Sequence, residues 1–396
     1  MRTIGIIGSG TAGLQLAYAL KDDFDVTVLH HEEPGEVRSG RVRSTQVHFQ
    51  PTLARERRVQ MPSNSGAPQL RTIHFQLGGQ KLFTGNLTDI ATSIDQRIRF
   101  ADAMEDLAKE GVRFQHGRIT ASDLDALATS FDLVIDASGK SGPVASFPVD
   151  ESLTPFRAPQ RKCIVGYFAG VRPVEPEGIS ITVMPGTGEM FEIPAVTDNG
   201  RATILFIEAV PGGALDAFVG VKGPDAFAER MLSIVEEHFP EKAGRIDSAR
   251  FALIDDNAYL LTAVTPTVRR PYVMHGGTLI LGCGDSVFLA DPNTGQGCNT
   301  ASYAAEQLYE TLLAHADADW DESIGTEYWS RTQPYIKAVT DWTNAMTQPL
   351  PGHIAELLMQ AAGDQEAADR IVHWFEDPTQ AYRSFFEHQN SQLFPR

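Results

Sequence analysis

The sequence predicts an α/β protein in which a doubly wound, mostly parallel layer is interrupted by an antiparallel β-rich domain and followed by a helical C-terminal region. Three observations predict this. The chain opens with strand, glycine turn, helix and strand in that order; β-rich segments with turn signals between them fill about 145–270; and a buried-strand pattern returns at 278–285 before a mostly helical remainder.

Residues 3–8, "TIGIIG", read as a buried strand, 11–21 as a helix with Leu14, Ala17 and Leu20 near one face, and "DVTVLH" at 25–30 as a second strand. This is the opening βαβ unit of a doubly wound sheet. From Ser93, the helical recurrence of Ile94, Ile98, Ala101, Met104 and Leu107 predicts an amphipathic helix capped by Ser93 and stopped by Gly111. The strand "VRFQH", a helix around 122–130 and the strand "DLVIDASG" at 132–139 continue the layer. "CIVGYFAGV", "GISITVMP", "GEMFEIPAV" and "RATILFIEAV", separated by signals such as "PGTG" and "TDNG", predict an antiparallel sheet. "TLILGCGD" at 278–285 is again a buried strand, and Trp320, Trp329, Trp342 and Trp374 lie along the helical remainder.

A net charge of −18 over 396 residues argues against nucleic acid or an anionic membrane surface as partner. Cys163, Cys283 and Cys298 lack metal-ligand spacing and fit a reducing cytoplasm. No stretch approaches the roughly 18 apolar residues of a membrane span. Neither a metal cluster nor a Ser-His-Asp arrangement is predicted.

Gly8, Gly10 and Gly13 form "GSGTAG" between a strand and a helix. Such glycines permit the tight turn, a close approach to a pyrophosphate and close helix–strand packing, while the helix N-terminus offers free N–H groups to the anion. The acidic residue expected on a ribose some 20 residues later is replaced by His30, leaving His31 or Glu32 as candidates. A second turn, "GDSVFLADPNTGQGCNTASYAAEQL", occupies 284–308. A nicotinamide needs no such second turn after an inserted domain. FAD does, because its AMP half, ribityl chain and ring exceed the span of one turn. Asp285 is placed to accept from a ribityl hydroxyl. Pro292 stiffens the chain and Gly295 and Gly297 strip it of side chains, so that N–H groups and the positive end of a helix can reach the flavin ring. The predicted layer is therefore an FAD-binding, Rossmann-like domain of the glutathione-reductase type.

"GIIGSGTAGL", "SIDQR", "VIDASGK", "APQRKCIVGYFAGV", "PGTGEMFEIP" and "GDSVFLADPNTGQGCNTASYAA" together resemble the FAD-dependent oxygenase component of two-component styrene and indole monooxygenases, within the p-hydroxybenzoate-hydroxylase-like flavoprotein fold. The resemblance weakens after about residue 310. It implies that reduced FAD, delivered by a separate NAD(P)H-dependent flavin reductase, reacts with O2 to give a C4a-peroxyflavin that epoxidises styrene, indole or a related vinyl-aromatic. It implies a cytoplasmic enzyme and, as a family expectation, a homodimer. Gly8, Gly10, Thr11, Ala12 and Gly13 match the family's pyrophosphate turn, Asp285 its ribityl contact, Pro292, Gly295, Gln296, Gly297 and Asn299 its isoalloxazine side, and Arg97 its D-x-R arginine. Arg41 or Arg43 also stands near the cofactor, and Ser44-Thr45-Gln46 replace an asparagine-threonine pair on the re-face loop. With Thr45 and Gln46, strand alternation nominates Phe191, Ile193, Val287 and Leu289 for the substrate pocket, while His48 and His74 read as structural.

Two alternatives stand beside this reading. A single-component NAD(P)H-dependent aromatic hydroxylase would carry an ADGxxSxVR motif, but Ser138 stands at its aspartate and no arginine follows Val144. A non-oxygenating flavin-binding protein is the other. Flavin-dependent halogenases carry a WxWxIP segment that this chain lacks. The expected domains are an FAD-binding unit at 1–48, 82–144 and 272–310, a β-rich substrate unit at 49–81 and 145–271, and a helical region at 311–396.

Overall fold

The computed structural model describes residues 1–63 and 66–387. The chain opens with β1 (Thr3–Ile7), α1 (Thr11–Leu20) and β2 (Asp25–His30). There follow α2 (Pro34–Ser39), the two-residue β3 (Val47–His48) and α3 (Gln50–Arg58). β4 (Leu70–Leu77) and β5 (Gln80–Ser93) form a hairpin turning through Gly78 and Gly79, whose φ values of 56° and 81° are the consecutive left-handed positions a two-residue loop needs. α4 (Gln96–Lys109), β6 (Arg113–His116), α5 (Leu124–Ser130) and β7 (Leu133–Asp136) return to the first layer. β8 (Lys162–Ala169), β9 (Ile179–Met184), β10 (Gly188–Thr197) and β11 (Gly200–Ala209) build the middle. α6 (Pro224–His238), α7 (Pro240–Ala243) and the short strands β12 (Ala252–Leu253), β13 (Tyr259–Ala263) and β14 (Thr267–Val268) follow. The hairpin of β15 (Tyr272–His275) and β16 (Thr278–Gly282) then precedes β17 (Phe288–Leu289). The rest is helical: α8 (Gly297–Ala314), α9 (Glu322–Met346), α10 (Gly352–Ala361), α11 (Gln365–His373) and α12 (Pro378–Phe386).

One sheet has the order β15-β16-β7-β1-β2-β6, parallel except for the β15–β16 hairpin at its edge. Its strands are apolar on both faces because helices cover both, so Ile4, Ile6, Val28, Leu133, Ile135 and Leu281 share a core with Leu14 and Leu16 of α1 and Ala304 and Leu308 of α8. The larger sheet runs β12-β8-β11-β10-β9-β4-β5-β3 and is antiparallel apart from β4–β9. Its strands alternate between two cores. On β11, Ile204 and Phe206 pack toward the C-terminal helices with Trp342, Trp374 and Phe375, whereas Leu205 and Ile207 pack under α6 with Phe227 and Met231. Among the described residues no helix is long and apolar enough to cross a membrane, and no cluster of potential metal ligands occurs.

Three expectations change. The cap at 93 is displaced: Ser93 ends β5, and Asp95 caps α4 by accepting from the Arg97 N–H. The domain boundary at 82 cuts through a strand, because β5 pairs with β4 from Leu70–Ala91 to Leu77–Gln80 and belongs to the large sheet. The boundary at 310 falls inside α8, which continues unbroken to Ala314.

Candidate cofactor site

The three glycines of the first turn have separate physical reasons. At Gly8, with φ of 108°, a Cβ would lie 2.4 Å from the Ala137 carbonyl oxygen, and at Gly13 it would lie 2.0 Å from the Gly8 oxygen. Those two are required by packing. At Gly10 a Cβ would meet nothing within 4 Å. Gly10 precedes α1, whose start carries no side-chain cap and no acidic residue, so its first N–H groups face that opening uncompensated.

The second turn is built against the first. Gly284 has φ of 72°, and a Cβ there would stand 3.0 Å from Ala12 Cβ and 3.6 Å from Ala301 Cβ, so the short 3₁₀ turn Gly284–Ser286 wedges between the starts of α1 and α8. Gln15 Nε2 crosses from α1 to donate to the Ser302 carbonyl of α8 at 3.1 Å. The next residue, Asp285, makes no side-chain hydrogen bond or ion pair among the described residues; burial pushes its carboxyl up, opposed by the nearby Lys140 ammonium. After the 3₁₀ turn Pro292–Thr294, Gly295 takes the left-handed φ of 63° and α8 begins at Gly297; a Cβ at either glycine would enter open space.

Side chains predicted to face the flavin ring instead brace this turn. Asn299 Oδ1 accepts from the Phe49 N–H (3.2 Å) and the Thr52 hydroxyl (2.7 Å), and its Nδ2 donates to the carbonyls of Val47 and Gly295 (both 3.0 Å). That leaves the Asn299 side chain no donor or acceptor for a ligand. Gln296, buried, donates to the carbonyl of Phe375 at 3.0 Å, and the Thr294 hydroxyl pairs with that of Thr343 on α9 at 2.7 Å. Buried Asp136, which the sequence reading passed over, accepts from Ser138 N and Oγ and from Val144 and Ala145 N, and so fixes the loop behind the first turn.

Gln46, buried, donates from Nε2 to Thr11 Oγ1 at 2.7 Å, while Thr45 beside it is half-buried. His31 is exposed; Glu32 is ion-paired to Arg43. Arg41 is turned away, its guanidinium over the Tyr259 ring at 5.2 Å. Arg97 is not a free phosphate donor: its five N–H groups go to Asp95, Asp255 and the Gly40 carbonyl. It lines a polar cleft of about 620 Å³ whose other walls include Asp95, Asp198, Asp255 and Asp256, a setting that repels a pyrophosphate. Val287 is fully buried. It closes the 3₁₀ turn and packs in the first core, where a side chain on Gly282 would stand 2.3 Å from it. Phe191 and Ile193 are buried in the core facing the C-terminal helices, Phe191 stacked on Phe206 at 5.3 Å, and Leu289 is half-buried on β17.

A buried acidic group behind the second turn was also missed. Glu189 and Glu208 are cross-strand partners on β10 and β11. Arg161 holds Glu189 through two bonds of 2.7 and 2.9 Å, leaving Glu208 fully buried beside Asp291 and without an ion pair among the described residues. Burial, reinforced by neighbouring Asp291, pushes Glu208 well up, and burial raises Asp291 to about 6. The only sequence signal was a glutamate inside the apolar run "ILFIEAV".

Residues 139–245 match the family described as "Styrene monooxygenase A putative substrate binding domain". The chain is 32% identical over 398 residues to the styrene monooxygenase StyA of a Pseudomonas species, covering 97% of this chain and 95% of that one. Identity to StyA of Pseudomonas fluorescens is 31% with the same coverage. The chain belongs to the StyA family of styrene monooxygenases. This StyA-family protein is thus the oxygenase component of a two-component flavoprotein monooxygenase. Its fold is shared with PqsL of Pseudomonas aeruginosa, solved with 2-aminobenzoylacetate (TM-score 0.68, 15% identity, 94% of this chain and 99% of that one). It is shared too with a triple mutant of the flavin-dependent brominase Bmp2 (TM-score 0.70, 15% identity, 99% and 100%). The two turns of the StyA-family chain fit a flavin dinucleotide: side-chain-free openings at Gly10, Gly295 and Gly297, two helix starts, and one unpartnered carboxylate between them.

Proposed function

We propose that the protein binds FAD across the two glycine turns, takes it in reduced form from a separate NAD(P)H-dependent flavin reductase, and uses O2 to epoxidise a small aromatic alkene of the styrene or indole type. The observation that carries this reading is Asp285, a carboxylate without a protein partner set between openings at Gly10 and Gly297. The start of α1 and Thr11 serve the pyrophosphate; Asp285 accepts from the ribityl chain; Glu32, held by Arg43, or His31 serves the ribose. Backbone N–H groups at Gly295–Gly297, with the positive end of α8, meet the ring where negative charge gathers on reduction. The bound flavin supplies oxygen activation, which explains why no acid–base dyad or nucleophile is needed.

The chain's task is then to hold the alkene beside the ring and keep water out. Thr45 and Gln46 stand beside the first turn, and Phe191 and Ile193, with Trp342 and Phe375 in the same cluster, give an apolar wall for a flat substrate. Leu289 contributes from β17. The three cysteines are free and buried, in keeping with a cytoplasmic site of action, and a homodimer is carried over from the family.

The test supplies FAD, NADH, a flavin reductase and styrene or indole, and analyses the products. Epoxide, or indigo derived from indole, is expected only when the reductase is present. Rapid NADH or NADPH consumption by the isolated protein would establish a single-component hydroxylase instead.

A further inference from the structure

A buried hydrogen-bonded chain leads away from the first glycine turn. Gln46 Nε2 meets Thr11 Oγ1 at 2.7 Å, His48 Nε2 meets Gln46 Oε1 at 2.9 Å and His48 Nδ1 meets Glu56 Oε1 at 2.6 Å, while Arg99 Nη2 is ion-paired to the same Glu56 oxygen at 2.5 Å. Gln46, His48 and Glu56 are 7%, 2% and 6% exposed, so bulk water does not compete for these bonds.

We propose that His48, acting through Gln46, sets which way the Thr11 hydroxyl points, so that an anionic group at the first glycine turn and a proton on His48 bind together. The inference rests on the placement of the FAD pyrophosphate at that turn.

The logic is donor–acceptor matching. His48 and Arg99 hold Glu56 ionised, at about 2, so the His48 nitrogen facing it, Nδ1, must carry a proton. The state of Nε2 is then the only variable. When Nε2 is protonated it donates to Gln46 Oε1, the amide NH2 faces Thr11 Oγ1, and the threonine proton must point elsewhere, toward the opening beside Gly10. When Nε2 is bare it accepts from the amide NH2. The amide is then reversed, and its oxygen captures the Thr11 proton. A donor toward an anion exists only in the first state.

The groups facing His48 are Glu56 of α3, Arg99 of α4 and the Cys298 thiol of α8, which burial keeps protonated; its strand partner on β5, Thr92, does not titrate. Burial, with Arg99, lowers His48 and Glu56 opposes this, so a bound anion draws the proton in, and the amide orientation seen, Nε2 toward Thr11 and Oε1 toward His48, is the one that goes with it. His48 is thereby a positioning residue.

Binding of oxidised FAD, whose pyrophosphate does not titrate near neutrality, is measured calorimetrically at pH 7.5 in buffers of different ionisation enthalpy, with riboflavin as the phosphate-free control. Proton uptake is expected with FAD, absent with riboflavin, and lost in His48→Asn and Thr11→Val; Thr11→Val also covers failure of the histidine variant to fold. Side-chain ¹⁵N spectra should show His48 Nε2 becoming protonated as FAD binds. FAD affinity of the wild type should fall about tenfold from pH 6 to pH 8, and that of Thr11→Val should stay flat. FAD binding without linked proton uptake, or equal uptake in both variants, overturns this inference alone. Absence of FAD binding overturns the cofactor reading and this inference with it.

Discussion

Gly10→Ala and Gly13→Ala add the same methyl group three residues apart and should fail in opposite ways. Gly10 has φ of −94° and ψ of −166°, ordinary for any L-residue, and its added Cβ meets no protein atom within 4 Å. Alanine at a helix N-cap in place of glycine costs about 1 kcal/mol at most, so the fold should survive nearly intact. The methyl would occupy the space through which a pyrophosphate reaches the first N–H groups of α1. Charge-assisted hydrogen bonds contribute roughly 1.5–3 kcal/mol each, and weakening two of them by half removes about 1.5–3 kcal/mol, raising Kd for FAD about 12- to 150-fold. At Gly13 the methyl would sit 2.0 Å from the Gly8 oxygen and 3.5 Å from Ile6 Cγ2, so β1 and α1 must separate. Overpacking of this kind costs about 3 kcal/mol or more. Urea unfolding curves and FAD titration by flavin fluorescence separate the two effects. A Gly10→Ala protein that unfolds at the wild-type urea midpoint and binds FAD within threefold of wild type would refute the placement of the pyrophosphate.

Other outcomes follow from the buried charges. Asp291 rises from 3.8 to about 6 on folding, so its contribution is fully present below about pH 4 and is lost as the pH climbs through 6; at 1.36 kcal/mol per unit that is about 3 kcal/mol. Asp291→Asn keeps an acceptor for the Asn293 N–H, and its stability relative to wild type should therefore improve between pH 5 and pH 7 in urea titrations. An unchanged difference would contradict the burial argument. Arg97→Met should lose about 3–5 kcal/mol by stranding Asp95 in the interior, yet leave Kd for FAD within threefold, because its donors are already spent on protein oxygens. Burial lifts Cys283 and Cys298 to about 12 and Cys163 upward as well, so a disulfide reagent at pH 8 should titrate no thiol in native protein and three after denaturation.

The βαβ opening and the two glycine turns were legible because each rests on local chemistry: an apolar strand, a backbone position closed to side chains, a helix start. Alternation on β11 likewise appears directly in "ATILFIEA". What escaped depends on neighbours far along the chain. Nothing near Arg97 announces that Asp255 completes its coordination from 158 residues away, nor does the Asn299 helix face reveal that Phe49 and Thr52 have claimed its amide. Alternation pairs Val287 with Leu289, but only Phe288 and Leu289 form β17, and Val287 closes the 3₁₀ turn before it, where the two-residue period does not run. Glu208 and Asp291 become a pair only once β11 and the second turn are brought together.

The second turn leans on the C-terminal helices through Thr294 to Thr343, Asn293 to the Thr343 carbonyl, and Gln296 to the carbonyl of Phe375. Its glycines therefore take their positions from α9 and from the residues after α11, some 50 and 80 residues further along the chain. Lineages can leave "DPNTGQG" untouched and still drift in how tightly that loop is held, by exchanging residues on α9 or after α11. Directed evolution confined to residues 44–46 would leave those braces untouched, whereas exchanges at Thr343 or around Phe375 would reach the loop directly.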